Sequence, residues 1–122
     1  MHNMKHILVV DDDNALRSFL KKALMRDGYK VTEAEDGADA ISLLSDNPDQ
    51  YHLVLTDIVM PNVNGTVLAS HIQKKHPHIK VMFMTGFSAM ALTGKEDHPH
   101  IKTVSKPFHL NDIVKQVNSV LA

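Results

Sequence analysis

Three aspartates, a threonine and a lysine follow short hydrophobic runs, and together they could bind a metal ion and a phosphoryl group. They are Asp11, Asp12, Asp57, Thr85 and Lys106. If the runs form parallel strands, the carboxyl ends of those strands line one crevice, and the five side chains would meet there. Three crowded carboxylates repel one another unless a cation joins them, and their oxygen atoms favour Mg²⁺. The hydroxyl and ammonium groups would then suit a phosphoryl group carried by one carboxylate.

The elements that must position these residues are strands alternating with helices. Apolar runs predict strands at residues 7–10, 30–33, 53–56, 81–84 and 101–105. Helical patterns lie at residues 14–27, between 37 and 47, at 65–76 and at 109–121, with a short helix expected at 88–92. Asn14 is the expected N-terminal cap of the first helix and Gly28 its stop. This alternation predicts an α/β fold, a doubly wound five-stranded parallel sheet with helices on both faces.

Length and composition limit the class of protein. The 122 residues suit a single domain, 1–122, with no effector domain, so we expect any output to run through contact with another protein. A net charge of -1 gives no basic stripe for nucleic acid and no polybasic segment for a membrane surface. The absence of cysteine excludes disulfides and thiol catalysis. With no signal peptide or membrane-spanning stretch, we expect a cytoplasmic protein.

Four motifs in register resemble those of the response-regulator receiver domain. They are VVDDD at 9–13, LTDIVMP at 55–61, MTG at 84–86 and SKPF at 105–108. The resemblance covers nearly the whole chain, and it implies a CheY-like sheet with the strand order 2-1-3-4-5.

The resemblance implies a role for each residue that would meet the phosphoryl group. Asp57 would accept it from a phosphohistidine on a histidine kinase or a histidine phosphotransferase. Thr85 would hydrogen-bond the phosphoryl oxygens, and Lys106 would pair with them. The chain would not be an enzyme in the usual sense, since it would catalyse only its own phosphorylation and dephosphorylation.

The same resemblance implies a magnesium site. Asp12, Asp57 and the backbone carbonyl of Val59 would bind Mg²⁺ directly, and Asp11 would act largely through a coordinated water. Oxygen ligands of this kind also agree with the residue types alone.

Two departures from the family pattern stand near this site. Thr103 occupies the position, three residues before the lysine, where receiver domains usually carry a tyrosine or phenylalanine that rotates on phosphorylation. Val59 and Phe87 occupy positions where a polar side chain could orient an attacking water. Because both are apolar, we expect them to shield the phosphoryl group and slow its hydrolysis.

A narrower resemblance concerns residues 84–92 and 105–114, which are similar to those of the CpdR type of stand-alone cell-cycle receivers. That resemblance implies two partners, a histidine phosphotransferase fed by a hybrid kinase and the ClpX unfoldase of the ClpXP protease. In that group the unphosphorylated form primes the protease, and phosphorylation turns the adaptor off. We expect no nucleic-acid or membrane partner, and a monomer or weak dimer.

Other functions remain open from the sequence. A phosphate shuttle would pass the group between histidines without an output of its own. A phosphatase of the haloacid-dehalogenase kind also forms an aspartyl phosphate, but it needs an acid at the position of Val59. A pseudo-receiver would bind partners without phosphorylation, which the intact five-residue set disfavours.

The chain also carries nine histidines, some of them closely spaced. His76 and His78 flank a proline, as do His98 and His100, and His71 lies about one helical turn before His76. No cysteine accompanies them, so the sequence alone favours ordinary histidines here over a specific metal site.

Overall fold

The computed structural model describes residues 5–60, 63–85, 101–105 and 110–122. Strands and helices alternate from residue 6 to residue 85. In chain order they are β1 (His6–Val10), α1 (Asn14–Arg26), β2 (Lys30–Ala34), α2 (Gly37–Asp46), a 3₁₀ turn (Pro48–Gln50), β3 (Leu53–Asp57), α3 (Gly65–Lys75), β4 (Lys80–Thr85), β5 (Lys102–Ser105) and α4 (Leu110–Leu121). The helix expected at 88–92 lies outside the described residues.

All five strands are parallel, in the order β2-β1-β3-β4-β5. This confirms the predicted doubly wound sheet and its strand order. The central strand β3 is buried at every position because helices cover both of its faces. Val10 pairs with Thr56, and Asp57 pairs with Met84. The carboxyl ends of β1, β3 and β4 therefore reach the same edge of the sheet.

Side chains of β1 alternate between two hydrophobic cores, one on each face of the sheet. Ile7 and Val9 pack in the core that α1 and α4 cover, which holds Leu20 and Val117 among others. Leu8 and Val10 pack in the core that α2 and α3 cover. Because β1 packs against a core on each face, the position of its carboxyl end is well defined.

The start of α1 differs from the sequence prediction. Asp13, not Asn14, is the N-terminal cap, and its carboxylate accepts a hydrogen bond from the Leu16 backbone N–H at 3.1 Å. An aspartate in extended backbone is well suited to this role, because its oxygen reaches the third backbone N–H of the helix. The predicted stop is confirmed: Gly28 adopts a φ of 99°, a left-handed conformation that glycine reaches without a steric penalty.

None of the helices within the described parts of the chain is long and apolar enough to span a bilayer.

Candidate functional site

Three carboxylates meet at the edge of the sheet where β1 and β3 end. Oxygen atoms of Asp11, Asp12 and Asp57 lie within 4.8 Å of one another. Asp11 and Asp12 directly follow β1, Asp57 is the last residue of β3, and the two strands are neighbours. Asp57 is at least 45 positions from Asp11 and Asp12 in the sequence, and the pairing of β1 with β3 brings it next to them. Asp11 is fully buried, Asp57 is 7% exposed and Asp12 faces solvent.

Backbone N–H groups hold the two buried carboxylates. The Asp13 N–H donates to Asp11 Oδ1 at 2.8 Å, and the Val59 N–H donates to Asp57 Oδ1 at 3.3 Å. Such donors stabilise the charged form of a carboxylate. Each aspartate is thereby oriented by the loop that follows its own strand, before any cation is added.

Arg17 is a positioning residue that the sequence reasoning missed. From the first turns of α1, its Nη1 donates to the backbone carbonyl of Asp11 at 2.6 Å and its Nε to Glu33 Oε1 at 3.1 Å. Its Nη2 donates to Asn14 Oδ1 at 2.6 Å. The guanidinium therefore ties the loop after β1 to β2 and to its own helix. No motif marks this arginine, because its role depends on how closely the loop and β2 approach α1.

Gly65 begins α3 directly behind the Asp57 backbone. A Cβ atom at this position would lie 2.2 Å from the Asp57 carbonyl oxygen and 2.8 Å from Ile58 Cα. The Gly65 N–H donates to the Ile58 carbonyl at 2.7 Å. Only glycine allows the helix to approach this closely, so the position of Asp57 depends on Gly65.

Val59 lies beside the acidic cluster, two residues after Asp57. Its side chain is 59% exposed, which places an apolar group at the mouth of the site. Thr103 lies on β5, where it pairs with Phe83 of β4. Its Oγ1 is buried and has no hydrogen-bond partner among the described residues.

The remaining predicted residues follow β4 and β5. Thr85 ends β4, one position beyond the partner of Asp57, and it pairs with Ser105 at the end of β5. The backbone of Thr85 thus reaches the same edge of the sheet as the three aspartates. Lys106 and Phe87 lie outside the described residues.

Comparison with known proteins agrees with this architecture. The family of response regulator receiver domains matches residues 7–118. The response regulator receiver protein CpdR of Brucella abortus is 46% identical over 97% of this chain and 98% of its own length. The sensor kinase CckA of the same species is 30% identical over 94% of this chain, which spans 12% of the kinase. A receiver domain protein from Clostridium thermocellum has the same fold, with a TM-score of 0.87 at 24% identity over 96% of this chain and 94% of that one. This chain belongs to the response regulator receiver domain family.

Proposed function

We propose that this chain is a stand-alone response regulator whose Asp57 accepts a phosphoryl group from a phosphohistidine. The observation that carries the proposal is the gathering of Asp11, Asp12 and Asp57, with oxygen atoms within 4.8 Å, at the ends of β1 and β3. An acceptor in such a place is shielded from bulk water yet open at one edge, since Asp57 is 7% exposed. Positioning and charge compensation are the main requirements of phosphoryl transfer; this arrangement supplies the first, and a cation held by the carboxylates would supply the second.

In the proposed step, a carboxylate oxygen of Asp57 attacks the phosphorus atom and the phosphorus–nitrogen bond of the donor breaks. The departing imidazole keeps the bonding electrons and takes a proton from solvent, so no further reactant is required. The Val59 N–H, which donates to Asp57 Oδ1 at 3.3 Å, orients the attacking carboxylate. Thr85 and Lys106 are the residues we assign to the phosphoryl oxygens.

The donor set fits a hard divalent cation such as Mg²⁺, because three carboxylates supply oxygen ligands at one point. Asp11, Asp12, Asp57 and the backbone carbonyl of Val59 are the groups that would hold it. Bound there, Mg²⁺ would offset the charges of the carboxylates and of the incoming phosphoryl oxygens. The Asp13 N–H contact keeps Asp11 oriented for this purpose.

The proposed donor is a histidine kinase or a histidine phosphotransferase. The likeness to the sensor kinase CckA, 30% over 94% of this chain, supports a place in phosphohistidine signalling. The proposed output is contact with the ClpX unfoldase in the cytoplasm, in the unphosphorylated state. The 46% identity to CpdR over almost the whole of both chains supports an adaptor of that type.

Acetyl phosphate with Mg²⁺ tests the acceptor directly. We expect the purified chain to gain the mass of one phosphoryl group, and we expect Asp57→Asn to gain none. Asp13→Asn is the matched control: it removes a neighbouring carboxylate outside the cluster, and asparagine keeps the helix cap. An unmodified wild-type chain, or equal labelling of Asp57→Asn, would refute the assignment.

Binding to purified ClpX tests the output. We expect the unphosphorylated chain to bind and the phosphorylated chain to bind at least about tenfold more weakly, a change of about 1.4 kcal/mol in binding free energy. Rapid transfer to a phosphotransferase without binding to ClpX in either state would instead identify a phosphate shuttle.

A further inference from the structure

Three histidines cluster at the C-terminal end of α3. His71 lies in the helix, His76 is its C-terminal cap and His78 lies in the turn before β4. The ring centroids of His71 and His76 are 5.8 Å apart, and those of His76 and His78 are 6.4 Å apart. This cluster is at the amino end of the strands, because Lys80 at the start of β4 pairs with Leu53 at the start of β3. It therefore lies at the opposite edge of the sheet from Asp57.

Two of these rings bury a nitrogen atom that has no hydrogen-bond partner among the described residues. Nε2 of His71 and Nε2 of His76 are both inaccessible to solvent, and neither makes a hydrogen bond to any described residue. A buried polar atom without a partner is costly, and an ion or a water molecule is the usual explanation. Two such atoms on adjacent imidazoles point to a shared ligand.

We propose that His71, His76 and His78 bind one transition-metal ion of the zinc class. Imidazole nitrogen is a preferred ligand of Zn²⁺, and Zn–N distances of about 2.0–2.1 Å place the centroids of two ligating rings about 5 Å apart. The observed separations of 5.8 and 6.4 Å exceed that value by about 1 Å. Among the described residues, the three aspartates form the only group of three or more such side chains with ligand atoms already within 4.8 Å of one another. The three imidazoles would therefore rotate their side chains to bind the ion.

The surroundings of His78 match those of a metal ligand. Its Nε2 lies 3.1 Å from the Pro48 carbonyl oxygen and 3.8 Å from Asp49 Oδ1. Since a carbonyl can only accept, Nε2 carries the proton, and Nδ1 is left with the lone pair that a metal requires. Metal-binding histidines commonly donate the other ring N–H to a carbonyl or carboxylate in this way.

Local electrostatics favour a bound cation and a neutral imidazole. The aligned peptide dipoles of α3 give its C-terminal end a partial negative charge. Burial lowers the pKa of His76, and the positive charges that His71, His78 and Lys75 can carry lower it further. A deprotonated ring is the form that binds a metal. Lys74 and Lys75 oppose a cation, but both are exposed and screened by solvent.

Titration calorimetry with Zn²⁺ tests the site on the untagged chain. Excess Mg²⁺ in the buffer should occupy the acidic cluster and leave the histidines to Zn²⁺. We expect saturation at one Zn²⁺ per chain, and we expect His71→Gln and His76→Gln each to weaken binding at least about tenfold. His6→Gln is the matched control, because it removes a histidine on β1, outside the cluster, and should leave the affinity unchanged.

Two further readouts separate loss of a ligand from loss of the fold. Zn²⁺ should raise the Tm of the wild-type chain but not that of the triple variant His71→Gln/His76→Gln/His78→Gln, since a ligand stabilises only a state that binds it. Nitrogen NMR of labelled histidine should show the rings of His71, His76 and His78 shifting with Zn²⁺. Equal affinity in the wild-type chain and the triple variant would overturn the proposal, because scattered histidines would then account for binding. So would the absence of saturable binding to a folded wild-type chain.

Discussion

The two ends of the sheet gather different ligand atoms in different ways. At the carboxyl end, oxygen atoms of Asp11, Asp12 and Asp57 already lie within 4.8 Å of one another. At the amino end, the rings of His71, His76 and His78 stand apart, and two buried nitrogen atoms lack partners among the described residues. The first cluster is fixed by strand pairing and by backbone N–H donors, whereas the second depends on side-chain rotation.

This difference follows from how a parallel sheet is built. Strands end in loops at the carboxyl edge, so side chains there are set by the rigid sheet itself. At the amino edge the chain arrives from helix C-termini, and the side chains sit on a helix end and a turn. The fold therefore favours a preorganised site at one edge and an adaptable one at the other. α3 joins the two edges, because it begins behind Asp57 at Gly65 and ends at Lys75, with His76 as its C-terminal cap.

The largest expected effect is that single substitutions abolish phosphorylation or Zn²⁺ binding independently of each other. Asp57→Asn should abolish phosphorylation by acetyl phosphate, because the attacking carboxylate is gone, and it should leave Zn²⁺ affinity unchanged. His76→Gln should do the reverse. Mass spectrometry and calorimetry on the same two variants make the comparison. Loss of both functions in either variant would show that the two ends are not independent.

Much of the carboxyl end could be predicted from sequence, and little of the amino end could. A polar residue that directly follows an apolar run marks the carboxyl end of a predicted strand. Asp11, Asp12 and Asp57 could therefore be placed at one edge of the sheet from the sequence. His78 lies 30 positions from Pro48 in the sequence, and the fold brings the His78 ring to the Pro48 carbonyl in the 3₁₀ turn. The sequence spacing of the histidines carries no signal for this contact, so the sequence alone favours ordinary histidines there.

The error at the start of α1 and the omission of Arg17 have related causes. Asp13 and Asn14 are both good capping residues, and the choice between them depends on the backbone conformation after β1. The contacts of Arg17 depend on the same loop, since its guanidinium binds the Asp11 carbonyl. Sequence pattern locates an element within a residue or two, whereas these contacts require the exact path of the loop.

A polar side chain at position 59 should shorten the lifetime of the phosphorylated form. Val59 is apolar and 59% exposed at the mouth of the acidic site. Val59→Asn would place an amide where it can orient an attacking water, and we expect hydrolysis to accelerate by about tenfold or more. The decay of the phosphorylated mass over time measures it, with Val67→Asn, an exposed valine on α3, as the control. An unchanged rate in Val59→Asn would refute shielding by the valine.

Gly65→Ala should disturb the acidic end more than the histidine end. The added Cβ would lie 2.2 Å from the Asp57 carbonyl oxygen, so the start of α3 must move. Overpacking of this kind costs about 1–3 kcal/mol. Urea unfolding measures the loss of stability, and Mg²⁺ and Zn²⁺ titrations show which end is affected.

Thr66→Ala is the control for that variant, because Thr66 lies in the same turn and its hydroxyl donates to the exposed Asn64 side chain. It should cost well under 1 kcal/mol. If Gly65→Ala were as stable as Thr66→Ala and bound Mg²⁺ normally, the close approach of α3 to Asp57 would not matter.

Arg17→Met should lower the stability of the chain and its affinity for Mg²⁺, without changing its affinity for Zn²⁺. The substitution keeps much of the apolar stem but removes donors to the Asp11 carbonyl, Glu33 and Asn14. Hydrogen bonds from a charged donor contribute about 1.5–3 kcal/mol each when they are shielded, and this side chain is 13% exposed, so we expect a loss of about 1–2 kcal/mol in the free energy of unfolding. Mg²⁺ affinity should fall as the loop after β1 loosens, while Zn²⁺ affinity should not change.

Lys21→Met provides the comparison for Arg17. Lys21 also pairs with Glu33, at 3.6 Å, but its side chain is 41% exposed and the pair is screened by water. Its loss should cost less than about 0.5 kcal/mol. Equal effects of the two variants on stability and on Mg²⁺ affinity would mean that Arg17 acts only through its charge near Glu33.

The smallest expected effect is a pH dependence of stability that arises from His6, at the amino end of β1. Burial lowers the pKa of His6, and nearby Lys30 and His52 lower it further. Its pKa in the folded chain therefore lies below that in the unfolded chain, which is about 6.5. As the pH falls below about 6.5, the unfolded chain binds this proton first, so the stability contributed by neutral His6 is present above that pH and is lost below it.

His6→Gln should make stability fall less steeply between about pH 7 and pH 5, because glutamine does not titrate there and can still bond to Thr32, which His6 Nε2 contacts at 2.6 Å. Urea midpoints measured across that range test the difference. Since His76 has a pKa lowered in the same direction, part of the slope should remain in this variant. A slope identical to that of the wild-type chain would show that His6 is equally easy to protonate in the folded and unfolded states, and that the acid sensitivity of the amino end lies with α3 alone.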